Sequence, residues 1–236
     1  MPLLETFQTS PYNVEDDDTI IGVWKISEQL SELADSFPKG QEYMRMTQSL
    51  FSSQKRRLEW LAVRSLLYNL TESDEEEIAY EANGKPFLRN SDRHISISHT
   101  NGFAALAIAS HKIGVDIERI SDRPWNLRHS FLIPDEIQMM SMLGNERMCA
   151  LRLWSAKEAA FKLRSSEGIE FLNQIRWSSA HPFENGRVRM DMVFTDGVTL
   201  PVETFLMSDF VFSVCGYADN GMSGQYSLKQ FQLSLY

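Results

Sequence analysis

Ile113-Gly114-Val115-Asp116-Ile117-Glu118 is the stretch on which the reading of this chain turns. Val115 and Ile117 alternate with Asp116 and Glu118, the period-two pattern of a half-buried strand. The two acids then share one face, roughly 6–7 Å apart along the strand, while the aliphatics anchor the other. Neighbouring carboxylates repel unless a cation lies between them, and Mg²⁺ takes oxygen ligands at such places. Taken alone, such an acid pair is equally an edge strand with a solvated polar face. What decides between the two readings lies elsewhere in the chain.

Downstream, a helix is expected over about Glu146 to Arg164, containing Trp154-Ser155-Ala156-Lys157-Glu158-Ala159-Ala160-Phe161-Lys162. Three- and four-residue spacing puts Trp154, Glu158, Phe161 and Lys162 on one stripe. Glu158 and Lys162 make either an exposed ion pair or, beside two aromatics, the lining of a cleft. Helical geometry turns Lys157 off that stripe, which suits a structural role. Asp116, Glu118 and Glu158, with Lys85, Lys162 and the pair Ser98-His99, read together as a Mg²⁺–phosphate site. In such a site the ion is held by one or two carboxylates plus phosphate oxygens, and lysines supply point charge.

Other chemistries lack their signatures. The sequence has no G-x-x-x-x-G-K-[ST], and its five histidines show no H-E-x-x-H spacing. Ser98-His99 does not sit in G-x-S-x-G. Among 236 residues, 23 Lys and Arg against 32 Asp and Glu give a net charge of −9. That balance argues against a broad nucleic-acid surface. Hydrophobic content of 43% and charged content of 23% are ordinary for a globular protein. No apolar run approaches the roughly 18 residues a membrane span needs. No basic stretch followed by an apolar run opens the chain, so no signal peptide is expected and the protein is read as cytoplasmic. Cys149 and Cys215 fall in helical and apolar strand patterns and are expected as buried thiols.

Read in order, residues 1–18 are an irregular, acidic lead-in. Thr19–Ile26 is a strand and Ser27 to about Phe37 a helix. Ser53–Leu70 is an amphipathic helix whose inner face is Leu58, Leu61, Ala62, Ser65 and Leu66. His94–Ser98 and Phe103–Ala109 form a hairpin-like unit turning at His99–Gly102. Arg119–Arg128 is irregular, and Pro134 to about Leu143 is a helix stopped by Gly144. Strand-like runs fill Ile175–Ala218, and a tail begins at Asp219. A faint echo runs through the chain. Ile21-Gly22-Val23 returns as Ile113-Gly114-Val115, an offset of 92, and Trp60-x-Ala62 as Trp154-x-Ala156, an offset of 94. This favours a duplicated α+β unit, each copy with a strand, a long helix and a returning antiparallel strand. The boundary is expected between residues 112 and 113. Only the second copy carries the acid pair; Trp24 and Ile26 stand at the equivalent places in the first.

Several of these segments together resemble the 4′-phosphopantetheinyl transferases. They are Gly114-Val115-Asp116-Ile117-Glu118, Trp154-Ser155-x-Lys157-Glu158-Ala159-x-x-Lys162, Ser96-x-Ser98-His99 and Gly84-Lys85-Pro86. The length resembles the larger, Sfp-type branch. The resemblance implies a monomer of two similar α+β subdomains related by a pseudo-twofold axis, with the active site between them. It also implies that Asp116, Glu118 and Glu158 hold Mg²⁺ on the coenzyme A pyrophosphate. Glu158, or Glu118 through a water, would take the proton from a carrier-protein serine, and Lys162 would neutralise the pyrophosphate. Lys85, Ser98 and His99 would contact the coenzyme A phosphates. Lys55-Arg56-Arg57-Leu58-Glu59-Trp60 departs from the glycine-bearing basic segment usual in the family, and Arg56 is the phosphate ligand assigned there. Phe131 and Glu136 resemble an F-x-x-x-x-E segment, in which Glu136 either steadies the metal site or is a helix-start acid. The stretch Arg119–His129, with three arginines against one aspartate, would meet an acidic acyl or peptidyl carrier protein. Two alternatives stand beside this reading: a carrier-protein-binding module without catalysis, and another Mg²⁺-dependent enzyme acting on a nucleotide diphosphate.

Overall fold

A computed structural model describes residues 4–11, 19–164, 174–184, 186–216 and 226–232. The chain divides into two compact units, Met1–Ser110 with Ser227–Tyr236, and His111–Tyr226. Each is α+β, with an antiparallel sheet and one long helix laid across it, as the sequence pattern predicts.

In the first unit, strands β1 (Leu4–Pro11) and β2 (Ile20–Lys25) precede helices α1 (Leu30–Ala34), α2 (Gly40–Leu50) and α3 (Gln54–Thr71). A two-stranded ribbon follows, β3 (Glu77–Tyr80) with β4 (Pro86–Arg89), and then the hairpin β5 (His94–Thr100) and β6 (Phe103–Ala109). The sheet order is β12-β1-β2-β6-β5, where β12 (Tyr226–Gln232) comes from the far end of the chain. Helix α3 packs on β2 and β6. Its residues Leu61, Ala62 and Leu66 join Trp24, Leu106 and Ile108 in the core, and the predicted inner-face residue Ser65 is buried as well.

The second unit runs β7 (Ile113–Arg119), α4 (Arg123–Asn126), a 3-10 turn (Arg128–Ser130), α5 (Pro134–Ser141) and α6 (Glu146–Arg164). Four strands follow: β8 (Ile175–Pro182), β9 (Arg187–Phe194), β10 (Thr199–Leu206) and β11 (Phe210–Gly216). The sheet order is β7-β11-β10-β9-β8, antiparallel throughout, so β7 is an edge strand. Helix α6 crosses β7, β11 and β10, and its Ala156, Ala159, Ala160 and Leu163 meet Met190, Met192 and Val202 in the core. Cys149 and Cys215 are buried free thiols, and burial pushes Cys149 up to about 11.

Five local expectations are corrected. The lead-in contains β1, and the segment read as a tail contains β12. The helix expected from Ser27 is confined to Leu30–Ala34, because the Gln29 backbone N–H is taken by Glu32 at 2.8 Å and the turn starts there. His99 lies inside β5 opposite Ala104 and is not a turn residue; the reversal is made at Asn101-Gly102, with Gly102 at φ +82°. Arg123–Asn126 is helical, with Pro124 in its first turn. Helix α2 is an element the sequence reading lacks: its inward face is Gly40, Tyr43, Met44 and Thr47, with only Gly40 and Thr47 fully buried. No helix among the described residues is long and apolar enough to cross a membrane.

Candidate active site

The site is built where β7 meets α6. Gly114, Asp116 and Glu118 share a strand face, and that face is turned to the helix. A Cβ on Gly114 would lie 2.1 Å from the Ala159 carbonyl oxygen and 2.8 Å from the Leu163 nitrogen. Only glycine allows backbone to lie this close to backbone. The contact brings the helix stripe onto the acids. Lys162 Nζ donates to Asp116 Oδ1 at 2.9 Å, and Trp154 Nε1 donates to Glu118 Oε1 at 2.8 Å. The solvated-face reading of the strand therefore fails: Asp116 is only 3% exposed, and Glu118 is half-buried. The aliphatic face is equally closed, with Val115 and Ile117 both buried.

Three carboxylates thus share a partly dehydrated space. Burial, then the charges of Asp116 and Glu118, push Glu158 up to about 7, against the pull of Lys162. Burial and Asp116 raise Glu118 also, while the Trp154 hydrogen bond, Arg123 and Lys162 oppose the shift. Such mutual elevation marks a cluster with more negative charge than the surroundings neutralise. A hard divalent cation fits this donor set, which is all carboxylate oxygen. Among the described residues, however, no three His, Cys, Asp or Glu side chains converge as a metal-holding group. Asp116 instead faces the Lys162 ammonium, which donates a hydrogen bond to it.

Behind the acids lies a buried ion pair. Lys157, fully buried, donates to Glu136 Oε2 at 2.9 Å and to the Phe131 carbonyl oxygen at 2.8 Å. Glu136 also accepts from the Trp177 backbone N–H at 2.6 Å and from that of Ile133 at 3.0 Å. Burial draws Lys157 below its ordinary range, and Glu136 opposes the draw. Glu136 is therefore a helix-start acid and an ion-pair partner at once. The Phe131 ring meets Trp154 edge-on, with centroids 5.0 Å apart at 83°.

The remaining predicted residues belong to the first unit. Ser98 is buried in β5, and His99 beside it is exposed. His99 Nδ1 lies 3.5 Å from Glu59 Oε2, and Lys55 Nζ lies 3.6 Å from Glu59 Oε1. Lys85 is half-buried after the Asn83-Gly84 turn, where Gly84 has φ +86°. Arg56 is exposed on the first turn of α3. The structure thus gathers Asp116, Glu118, Glu158 and Lys162 within the second unit, and holds His99 against Glu59 in the first. Glu59 escaped the sequence reading; its buried place on α3 three residues after Arg56 was the available signal. In the basic stretch Arg119 and Arg123 are exposed, Arg128 stacks 4.0 Å from the Trp125 ring centroid, and Asp122 pairs with Arg147.

Comparison with known proteins gives a family match within the second unit. Residues 112–215 match the family model described as the 4′-phosphopantetheinyl transferase superfamily. A curated relative, the 4′-phosphopantetheinyl transferase gsp of Aneurinibacillus migulanus, is 33% identical over 106 residues. That alignment covers 43% of this chain and 44% of the relative, so the chain spans under half of the relative's length.

Proposed function

We propose, from the match of residues 112–215 to the 4′-phosphopantetheinyl transferase superfamily model, that the protein moves 4′-phosphopantetheine from coenzyme A to a carrier protein. The acceptor is a serine hydroxyl of an apo acyl or peptidyl carrier protein, and the leaving product is adenosine 3′,5′-bisphosphate. The observation that carries this reading is the clustering of Asp116, Glu118 and Glu158 with Lys162, inside the matched segment.

Asp116, Glu118 and Glu158 would hold Mg²⁺, which supplies Lewis-acid neutralisation of the pyrophosphate when bound. The chain's own residues do the rest. Glu158, or Glu118 through a water, is the base that takes the serine proton. Lys162, freed from Asp116, would turn its ammonium to the pyrophosphate charge. Lys85, Ser98, His99 and Arg56 are assigned to the coenzyme A phosphates. Burial at the helix–strand contact keeps water from competing at the hydroxyl, and rate comes mainly from positioning and electrostatics. Exposed Arg119 and Arg123 are the surface offered to an acidic carrier. The protein is taken to work as a cytoplasmic monomer.

A second reading draws on the lysine already seated on Asp116 and the lack of a preformed metal group among the described residues. In it the chain binds a carrier without acting on it. Chromatography of a mixture of the protein, coenzyme A, Mg²⁺ and an apo carrier separates the two. Adenosine 3′,5′-bisphosphate appearing in step with modified serine supports transfer. Carrier binding with coenzyme A unconsumed would favour the silent module, and coenzyme A consumed without modified carrier would favour a different Mg²⁺-dependent reaction.

A further inference from the structure

Trp154 links the acids to Phe131, the residue whose carbonyl the buried lysine holds. Its Nε1 donates to Glu118 Oε1 at 2.8 Å, which fixes the direction of that carboxylate. Its ring is braced edge-on by Phe131, which is 1% exposed. Phe131 in turn is pinned through its carbonyl by Lys157, and Lys157 by Glu136, whose carboxylate also receives two backbone N–H groups. A carboxylate on an edge strand would otherwise choose among several rotamers. Here its orientation is set by a donor that is itself locked by packing.

We propose that Trp154 is a positioning residue that orients Glu118 for cation binding, and that the Glu136–Lys157 pair keeps it in place through Phe131. The function reading supplies only the identity of the ion. Lys157 follows Ala156 and precedes Glu158 on α6, so one turn of helix carries both the anchor and a candidate ligand. The anchor meets Glu136 in the first turn of α5, which also holds the start of β8; the ligand lies toward the acids of β7. An indole at position 154 is needed because it is long enough to cross from the helix to Glu118 while presenting a ring edge to Phe131. Partners of this kind, one bond removed from a metal, commonly govern its affinity by about 10- to 100-fold.

The test uses the full chain and Mn²⁺ as the probe, with binding read by calorimetry. Trp154→Phe keeps a ring against Phe131 and removes the donor. It is expected to weaken Mn²⁺ binding by about tenfold or more while the unfolding midpoint stays near wild type. Transfer activity should be depressed most at limiting Mg²⁺ and recover as Mg²⁺ is raised, which a general structural defect would not do. Phe131→Leu should weaken Mn²⁺ binding in wild type and add nothing in the Trp154→Phe background, since the two act in series. Glu136→Gln, which keeps one acceptor oxygen and replaces the other, with its bond to the Trp177 or Ile133 N–H, by an NH2 donor, should behave as Phe131→Leu does. If Glu136→Gln fails to fold, the Phe131 cycle decides. Wild-type Mn²⁺ affinity in Trp154→Phe would overturn the proposal, as would additive effects of the Phe131 and Trp154 changes, or no Mn²⁺ binding by the wild-type chain. A wild type that binds Mn²⁺ yet transfers nothing would defeat the transferase reading and leave this one standing.

Discussion

Strands β2 and β7 share the triplet Ile-Gly-Val and go on to different chemistry. Ile21-Gly22-Val23 and Ile113-Gly114-Val115 each place a glycine under a long helix, α3 in one unit and α6 in the other. Past the glycine they part. Trp24 stands where β7 has Asp116 and is buried in the first core, while Ile26 stands where β7 has Glu118. The helices differ in step. At the offset of 94 that relates Trp60 to Trp154, Arg64 and Tyr68 of α3 correspond to Glu158 and Lys162 of α6. Arg64 folds back over its own helix, 3.2 Å from the Trp60 ring centroid and bonded to the Trp60 carbonyl at 3.1 Å. Burial draws its guanidinium below the ordinary range. The stripe on α6 reaches outward instead, Trp154 to Glu118 and Lys162 to Asp116. A strand under a long helix thus serves as core in the first unit and as a charged site in the second.

The comparison breaks first on activity. Asp116→Ala and Glu158→Ala should each cost on the order of 10²–10³-fold in transfer rate with folding retained, measured as initial rates on an apo carrier. Retained turnover in either would mean that the acids of β7 and α6 are no more functional than the Trp24 and Arg64 they correspond to.

The glycines come next. At Gly114 a Cβ meets helix backbone, whereas at Gly22 it meets the Leu66 and Leu70 methyl groups at 2.9–3.2 Å, which can turn aside. Gly114→Ala should therefore cost about 3 kcal/mol, and Gly22→Ala about 1 kcal/mol, by urea denaturation. Equal losses would show that the two contacts are not different in kind.

Glu158 gives a test by pH. Its carboxyl is held at about 7, above the ordinary value of 4.5, so the folded chain keeps a proton that the unfolded chain releases between those values. Its contribution to stability must then fall as pH rises through that window, by about 3 kcal/mol at most, and the loss is complete only about one pH unit above 7. In metal-free buffer Glu158→Gln should be more stable than wild type at pH 8 and indistinguishable from it at pH 4. A pH-independent difference would argue against the cluster's mutual repulsion.

The smallest effect is expected at Arg64. With no role in transfer and mainly ring contacts to lose, Arg64→Leu should leave kcat unchanged and move stability by about 1 kcal/mol. A large activity loss would mean that the first helix's stripe is a site too.

Much of this contrast is legible without coordinates, because periodicity reports which residues share a face. The stripe of α6 and the alternation of β7 follow from three- and four-residue and two-residue spacing, and both stand in the structure at the expected positions. What periodicity cannot report is which partner a face meets. The acids of β7 read equally as solvated until Gly114 is seen against the Ala159 carbonyl. Helix α2 is hard to read because only Tyr43 and Met44 of its inward face are apolar side chains of any size, with Gly40 and Thr47 at the fully buried positions. The strand β12 joins a sheet whose other members lie more than a hundred residues earlier, a pairing no local pattern carries. Lys157 could be placed off the functional stripe, but its burial against Glu136 required a partner 21 residues away.

The central claim is that the acid-bearing unit performs a transfer onto a carrier protein. It is tested most directly by the intact mass of an apo carrier after incubation with coenzyme A, Mg²⁺ and either wild type or Asp116→Asn. The account predicts a gain of one phosphopantetheine group with wild type and none with Asp116→Asn. An unchanged mass with wild type, on carriers that another transferase loads under the same conditions, would contradict it.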